Sequence, residues 1–146
     1  MKLIKAFALG AVLAAGAAYA EEERTDPNAI ARAELMEMVG KNTGVLGGMA
    51  SGKTAFDAAA ATAAKAALVD AFGKVEVTFK EQGGPDPADE AKPEIWANWD
   101  DFLKKAGAAG TAAGAIDVAS VESIGAGMGA LGGTCKDCHT SYRVMK

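Results

Sequence analysis

The sequence predicts an all-α protein, an antiparallel up-and-down four-helix bundle. Three observations carry this expectation. Alanine is abundant and β-branched runs are absent, a composition that favours helix over strand. Apolar side chains recur at spacings of three and four, the period of a helix with one buried face. The breaks between these periodic segments are few and mostly short, which sets consecutive helices side by side.

The first helix is expected over 27–50, with Asp26 as its N-cap, Pro27 in its first turn and Gly52 as its stop. The second is expected over 54–79, with Gly73 as a point of irregularity inside it. The stretch EQGGPDPADEAK (81–92) is the one long loop, because Gly83, Gly84, Pro85 and Pro87 all oppose regular structure. A third helix begins near Pro93 and fades near Gly110; the fourth is expected over 117–144. Gly40, Gly44 and Gly48 stand four apart on the first helix. Each interior glycine costs about 1 kcal/mol relative to alanine. Close approach of a neighbouring helix, room for a flat ligand, or plain small-residue packing would each account for them.

The chain opens with Lys2 and Lys5, an apolar run over 6–18, and the small-x-small pattern Ala18-Tyr19-Ala20. This is the grammar of a signal peptide over 1–20. The apolar run is shorter than the roughly 20 residues that span a bilayer, so an uncleaved anchor is the weaker reading. The expected mature domain is 21–146, an exported protein whose default address is the periplasm, with no membrane span after signal cleavage. Beyond position 20, 13 basic side chains face 19 acidic ones. That balance excludes the clustered Lys and Arg of a nucleic-acid footprint. The same segment holds four Phe, two Trp and one Tyr, few large side chains for its length. Its core is underfilled unless something else occupies it.

Both cysteines and the only histidine fall within Cys135-Lys136-Asp137-Cys138-His139. A redox disulfide motif would follow a strand and open a helix, and no strand precedes this one. A zinc site needs about four ligands, and the segment offers two thiols and one imidazole. Cys-x-x-Cys-His is also the signature of covalent haem attachment. On a helix, positions 135 and 138 share a side, so both sulfurs can reach one edge of a porphyrin while residue 139 turns its imidazole toward the iron. With an export signal in front, haem c attachment is the favoured reading. A haem would also supply the missing apolar bulk.

A single attachment motif at the C-terminal end of four helices resembles the class II c-type cytochromes, the cytochrome c′ family with its low-spin relatives. The segments that carry the resemblance are Arg32-Ala-Glu-Leu-Met36, VGKNTGVLGGMASGKTAFD, AKPEIWANWDDF and LGGTCKDCHTSYR. The resemblance implies a bundle with haem c near the C-terminal helix, thioethers from Cys135 and Cys138, and His139 as the proximal iron ligand. Arg143, one turn beyond His139, resembles the family's basic residue beside the proximal pocket; a solvated helix-end charge is the alternative. Arg32 resembles the first-helix base near the haem propionates, against a plain surface arginine. Trp96 is expected either against the porphyrin or in ordinary core.

Met36 decides between two functions. In cytochromes c′ the sixth iron position is open and shielded by an apolar side chain of the first helix; in the low-spin relatives a methionine fills it. Met36 lies four residues after Arg32 and shares its helical face. Met38 lies about 200° around the helix from Met36, so both cannot address one haem. Met49 is too far along the helix, and Met128 shares a helix with His139. With Met36 on iron, as the run after it favours, the protein is a one-electron carrier serving redox partner proteins, and not an enzyme. With Met36 as packing only, the open iron binds small gases such as nitric oxide or carbon monoxide. The resemblance also implies the option of a homodimer through the first two helices.

Overall fold

The computed structural model describes residues 23–145; the expected signal peptide and its cleavage point lie outside the described residues. The first helix, α1 (Pro27–Ala50), has the expected bounds. The Asp26 carboxylate accepts from the amides of Asn28 and Ala29 at 2.9 and 3.0 Å, satisfying donors that have no partner inside the helix. At the other end, Gly52 takes a φ of 72° and turns the chain away. The buried face of α1 carries Ala29, Arg32, Leu35, Val39, Leu46 and Met49, spaced for one helical stripe.

The second helix differs from expectation in two places. It begins later, as α2 (Ala58–Gly73), because Asp57 supplies the cap, accepting from the amides of Ala59 and Ala60. It breaks at Lys74 beside Gly73, and a short α3 (Val75–Phe79) follows. The third helix is also divided. Pro93 starts the single turn α4 (Glu94–Ala97), Asn98 leaves helical geometry at φ −129° and ψ 47°, and α5 (Trp99–Ala115) runs past the expected fade point. The last helix, α6 (Val121–Tyr142), is trimmed at both ends relative to 117–144. Ser120 and Ser123 close its first turn with a reciprocal capping box.

Helix α1 packs on α2, α2 on α5, α5 on α6, and α6 back on α1. That ring is the antiparallel up-and-down four-helix bundle, and no strand occurs among the described residues. Leu46, Leu68, Ile95, Ile116, Ile124 and Leu131 are fully buried in it, each contributing about 1.5–3 kcal/mol relative to exposure. At Gly127 an added Cβ would sit 3.0 Å from the Ile116 side chain and 3.2 Å from its Cα. The α5–α6 corner closes there because that position is bare. Phe102 joins Phe79, Trp99 and Tyr142 through ring contacts of 5.2 to 5.5 Å.

The loop over 81–92 is tied down at both ends. Asp26 also accepts from the Gly84 amide at 2.9 Å, while Asp86 accepts from the amides of Thr25 and Asp26 at 2.7 and 2.9 Å. At the far end the Lys92 amide donates to the Tyr142 carbonyl at 3.0 Å, and the Val144 amide donates to the Glu90 carbonyl at 2.8 Å. Ala91 and Arg143 thus form an isolated antiparallel bridge. The chain's last residues close one wall of the bundle.

Backbone amides hold the carboxyls of Asp26 and Asp86 below the usual aspartate range, Gly84 acting most strongly on the first and Asp26 on the second. A depressed carboxyl stabilises the fold above its unfolded pKa and loses that contribution as pH falls through the folded value. Acid titration below the usual aspartate range should therefore free this loop, read as accelerated amide exchange at Gly84 before the α2–α5 core opens. Gly83 has a φ of 79°, and an added Cβ would lie 2.3 Å from Asp26 Oδ1. Gly83→Ala should destabilise the protein by about 1–2 kcal/mol from the left-handed backbone alone, measured as a lowered Tm.

Candidate functional site

The bundle does not close on itself everywhere. Between α1, α2, α5 and α6 lies a cavity of about 460 Å³, the size of a small-molecule or cofactor site. Its walls are mainly apolar. From α2 and α3 come Phe72, Val75 and Phe79, and from α5 come Phe102, Ala106 and Ala109. Gly40 lines it from α1, and a Cβ built there meets no heavy atom within 4 Å. Of the three spaced glycines, Gly40 therefore makes room, whereas Gly48 packs against the Thr54 hydroxyl. Gly44 meets neither a neighbouring helix nor the cavity wall.

Helix α6 brings the sequence motif to this cavity intact. Cys135, Cys138 and His139 are half-buried and line it, while Lys136 and Asp137 between them are exposed. Helical spacing alone separates the two sets. The two cysteines are free thiols. Burial pushes the Cys135 thiol up and raises Cys138 to about 11, with the Lys105 ammonium opposing the rise at Cys138. Burial also lowers the His139 pKa; Arg143 adds to that effect and Glu90 works against it. The imidazole is therefore neutral at neutral pH, the form that ligates a metal.

Met36 lines the same cavity from α1 and is half-buried, while Met38 is 42 % exposed and turned away. Met49 is buried in the core, and Met128 points its methyl toward Gly47; neither lines the cavity.

The three residues expected around the motif are placed differently, Arg32 and Arg143 at the cavity and Trp96 behind it. Arg32 is no surface residue: it is 3 % exposed and lines the cavity. Its guanidinium donates to the carbonyls of Glu81 and Gln82 at 3.0 and 3.1 Å and to Asp89 at 2.6 Å. The rings of Phe79 and Trp96 lie 5.9 and 5.2 Å from it. Trp96 does not line the cavity; its indole N–H donates to the Phe79 carbonyl at 2.8 Å, and the ring backs Arg32. Arg143 lines the cavity but not as a helical residue. The helix ends at Tyr142, Arg143 is extended, and its side chain pairs with Glu90 instead of standing free in solvent.

Sequence reasoning missed Glu90, Asp89 and Tyr142. The Tyr142 hydroxyl donates to Asp101 at 2.6 Å, a bond that raises its pKa to about 12. None of these carried a local motif, and only Asp89 and Glu90, acidic residues inside a turn-rich loop, gave any hint.

The donor set tests what the cavity suits. Two thiols and a neutral imidazole on one wall, a thioether opposite in chain order, and apolar surfaces between them fit a flat iron porphyrin. Arg32 Nε and Thr43 Oγ1 are buried without a hydrogen-bond partner among the described residues, and both residues line this cavity. Residues 28–143 match the family described as Cytochrome C′. The chain belongs to the cytochrome c′ family. Its cofactor is one covalently attached haem c. Cytochrome c-556 of Agrobacterium fabrum is 36% identical across 100% of this chain and 97% of its own. Cytochrome c′ of Rhodopseudomonas palustris is 34% identical over 92% of this chain and 91% of its own. The solved cytochrome c′ of Rhodobacter sphaeroides superposes with a TM-score of 0.72 at 32% identity, covering 82% of this chain and 96% of that one.

The thiols of this cytochrome should be slow nucleophiles before attachment. At pH 8 the haem-free chain should hold on the order of a hundredfold less Cys138 thiolate than an unperturbed cysteine would. Iodoacetamide labelling followed by mass spectrometry should rise steeply with pH, with Cys135 labelled ahead of Cys138.

Proposed function

We propose that this cytochrome is a one-electron carrier of the periplasm whose iron is held between His139 and Met36, with Cys135 and Cys138 forming the thioethers. The observation that carries the reading is the choice among methionines. Only Met36, of those in the described helices, lines the cavity that His139 lines, and the two come from different helices. A thioether and an imidazole together favour reduced iron and fill both axial positions. Haem supplies the reversible one-electron chemistry. The chain's own residues do the rest. The apolar wall of α2 and α5 excludes water. Arg32, fixed by its bonds to the 81–89 segment, keeps Nε available for an acidic substituent of the porphyrin. Lys105, paired with Asp137, borders the Cys138 side.

No helix among the described residues is long and apolar enough to cross a membrane. Together with the export-like N-terminal sequence, this supports a carrier that meets its redox partners outside the cytoplasm. A homodimer would use the outer faces of α1 and α2, where Ile30, Met38 and Val69 are exposed.

The optical spectrum of the haem-loaded protein tests the reading. It should be low-spin, and carbon monoxide should bind the reduced form slowly. Met36→Ala should convert the spectrum to high spin, admit carbon monoxide and lower the reduction potential. Met36 is only half-buried, so the loss of stability should fall below the roughly 2–5 kcal/mol of a fully buried site. An unmutated protein that starts high-spin and takes up carbon monoxide readily would make Met36 packing and the protein a gas binder.

A further inference from the structure

The wall beside His139 holds a charge pair that axial ligation does not use. Arg143 leaves α6 with φ −117° and ψ 136°, donates Nε to Oε2 of Glu90 at 2.7 Å, and holds Nη2 in an ion pair with the same oxygen at 2.6 Å. Both residues line the cavity. The backbone holds them together as well: Val144 donates to the Glu90 carbonyl, and Lys92 to that of Tyr142. Glu90 is the more enclosed partner, its side chain 22% exposed against 47% for Arg143. Both charges are felt at the His139 ring, with opposite signs. On the other side of the attachment helix, Lys105 is likewise matched by Asp137. The charges that act on the imidazole are therefore those of one neutralised pair, Arg143 and Glu90.

Oxidised iron carries one more positive charge than reduced iron. A lone cation beside the proximal ligand therefore favours the reduced state, and a lone carboxylate favours the oxidised one. A long arginine side chain that is half exposed has the freedom to reach the imidazole edge, unless something holds it. Glu90 holds it, from a loop that is itself anchored to the chain's end.

We propose that Glu90 is a positioning residue: by pinning the Arg143 guanidinium, it cancels the cation beside His139 and keeps the reduction potential low. The proposal rests on His139 being the proximal ligand. The spectrum of the haem-loaded H139A protein tests that assignment separately, before any Glu90 variant is made: it should lose its imidazole ligation, and an unchanged spectrum would remove His139 from the iron.

The experiment is a spectroelectrochemical titration of the full haem-loaded protein, unmutated and as E90Q, R143Q and the double variant. E90Q keeps the side chain's shape and removes its charge. At a fixed applied potential it should raise the ratio of reduced to oxidised protein roughly three- to tenfold, which is about 30–60 mV for a one-electron couple. R143Q should shift the ratio the other way, and the double variant should return close to the unmutated value. Amide exchange at Lys92 and Val144 is read alongside. If E90Q speeds exchange there but leaves the potential unchanged, Glu90 is only structural and the proposal falls. A lowered potential in E90Q also overturns it. Should E90Q load haem poorly, R143Q decides: a potential that does not fall rejects the proposal.

Discussion

A buried guanidinium organises the open end of this bundle. Arg32 sits on the inner face of α1 at 3 % exposure, where an unpaired charge would be strongly destabilising. Its partners all come from one segment: the carbonyls of Glu81 and Gln82 and the carboxylate of Asp89. The need to neutralise one charge thus fixes a loop that has almost no apolar side chains of its own. That loop then carries Glu90 and Ala91 to the end of α6, where they meet Arg143 and Val144. Loop, tail and cavity wall follow from a single residue.

The cavity itself follows from composition. Helices rich in alanine and glycine approach closely at some points, as at Gly127 against Ile116, and leave space at others, as at Gly40. Aromatic side chains fill one end through the Phe79, Phe102 and Tyr142 contacts. Toward Cys135 and Cys138 no comparable bulk is supplied, and the haem takes that place. The thiols' raised pKa and the histidine's lowered one have the same origin, because burial penalises thiolate and imidazolium alike.

Much of this was legible in the sequence, and the failures have physical reasons. Local signals worked where the cause is local. Asp26, Pro27 and Gly52 bound α1, and the spacing of Cys135, Cys138 and His139 set them on one helical side. Met36 was singled out by the resemblance, and its four-residue offset from Arg32 is the local relation that puts both in the cavity wall. The second helix was started too early, near Thr54, and only the folded backbone shows that the Asp57 carboxylate meets the first amides. The partners of Arg32 were not foreseen, because they stand 49 to 57 residues away and two of them are backbone carbonyls, which no side-chain pattern announces. Trp96, open between the haem face and ordinary core, lies off the cavity because its indole N–H has the Phe79 carbonyl to satisfy. Arg143 was read as helical because nothing in the sequence marks Tyr142 as the last helical residue. Its pairing with Ala91 across 52 positions of chain ends the helix.

The closure of α6 onto α1 carries a consequence for assembly. Met36 and His139 are about a hundred residues apart, yet they line one space, so the cavity joins the first and the last helix of the bundle. Closing so long a stretch of chain costs conformational entropy, and α6 alone, which holds both thiols and the imidazole, lacks the opposite wall. A chain that has not yet docked α1 against α6 can present the attachment motif but not the enclosed chamber.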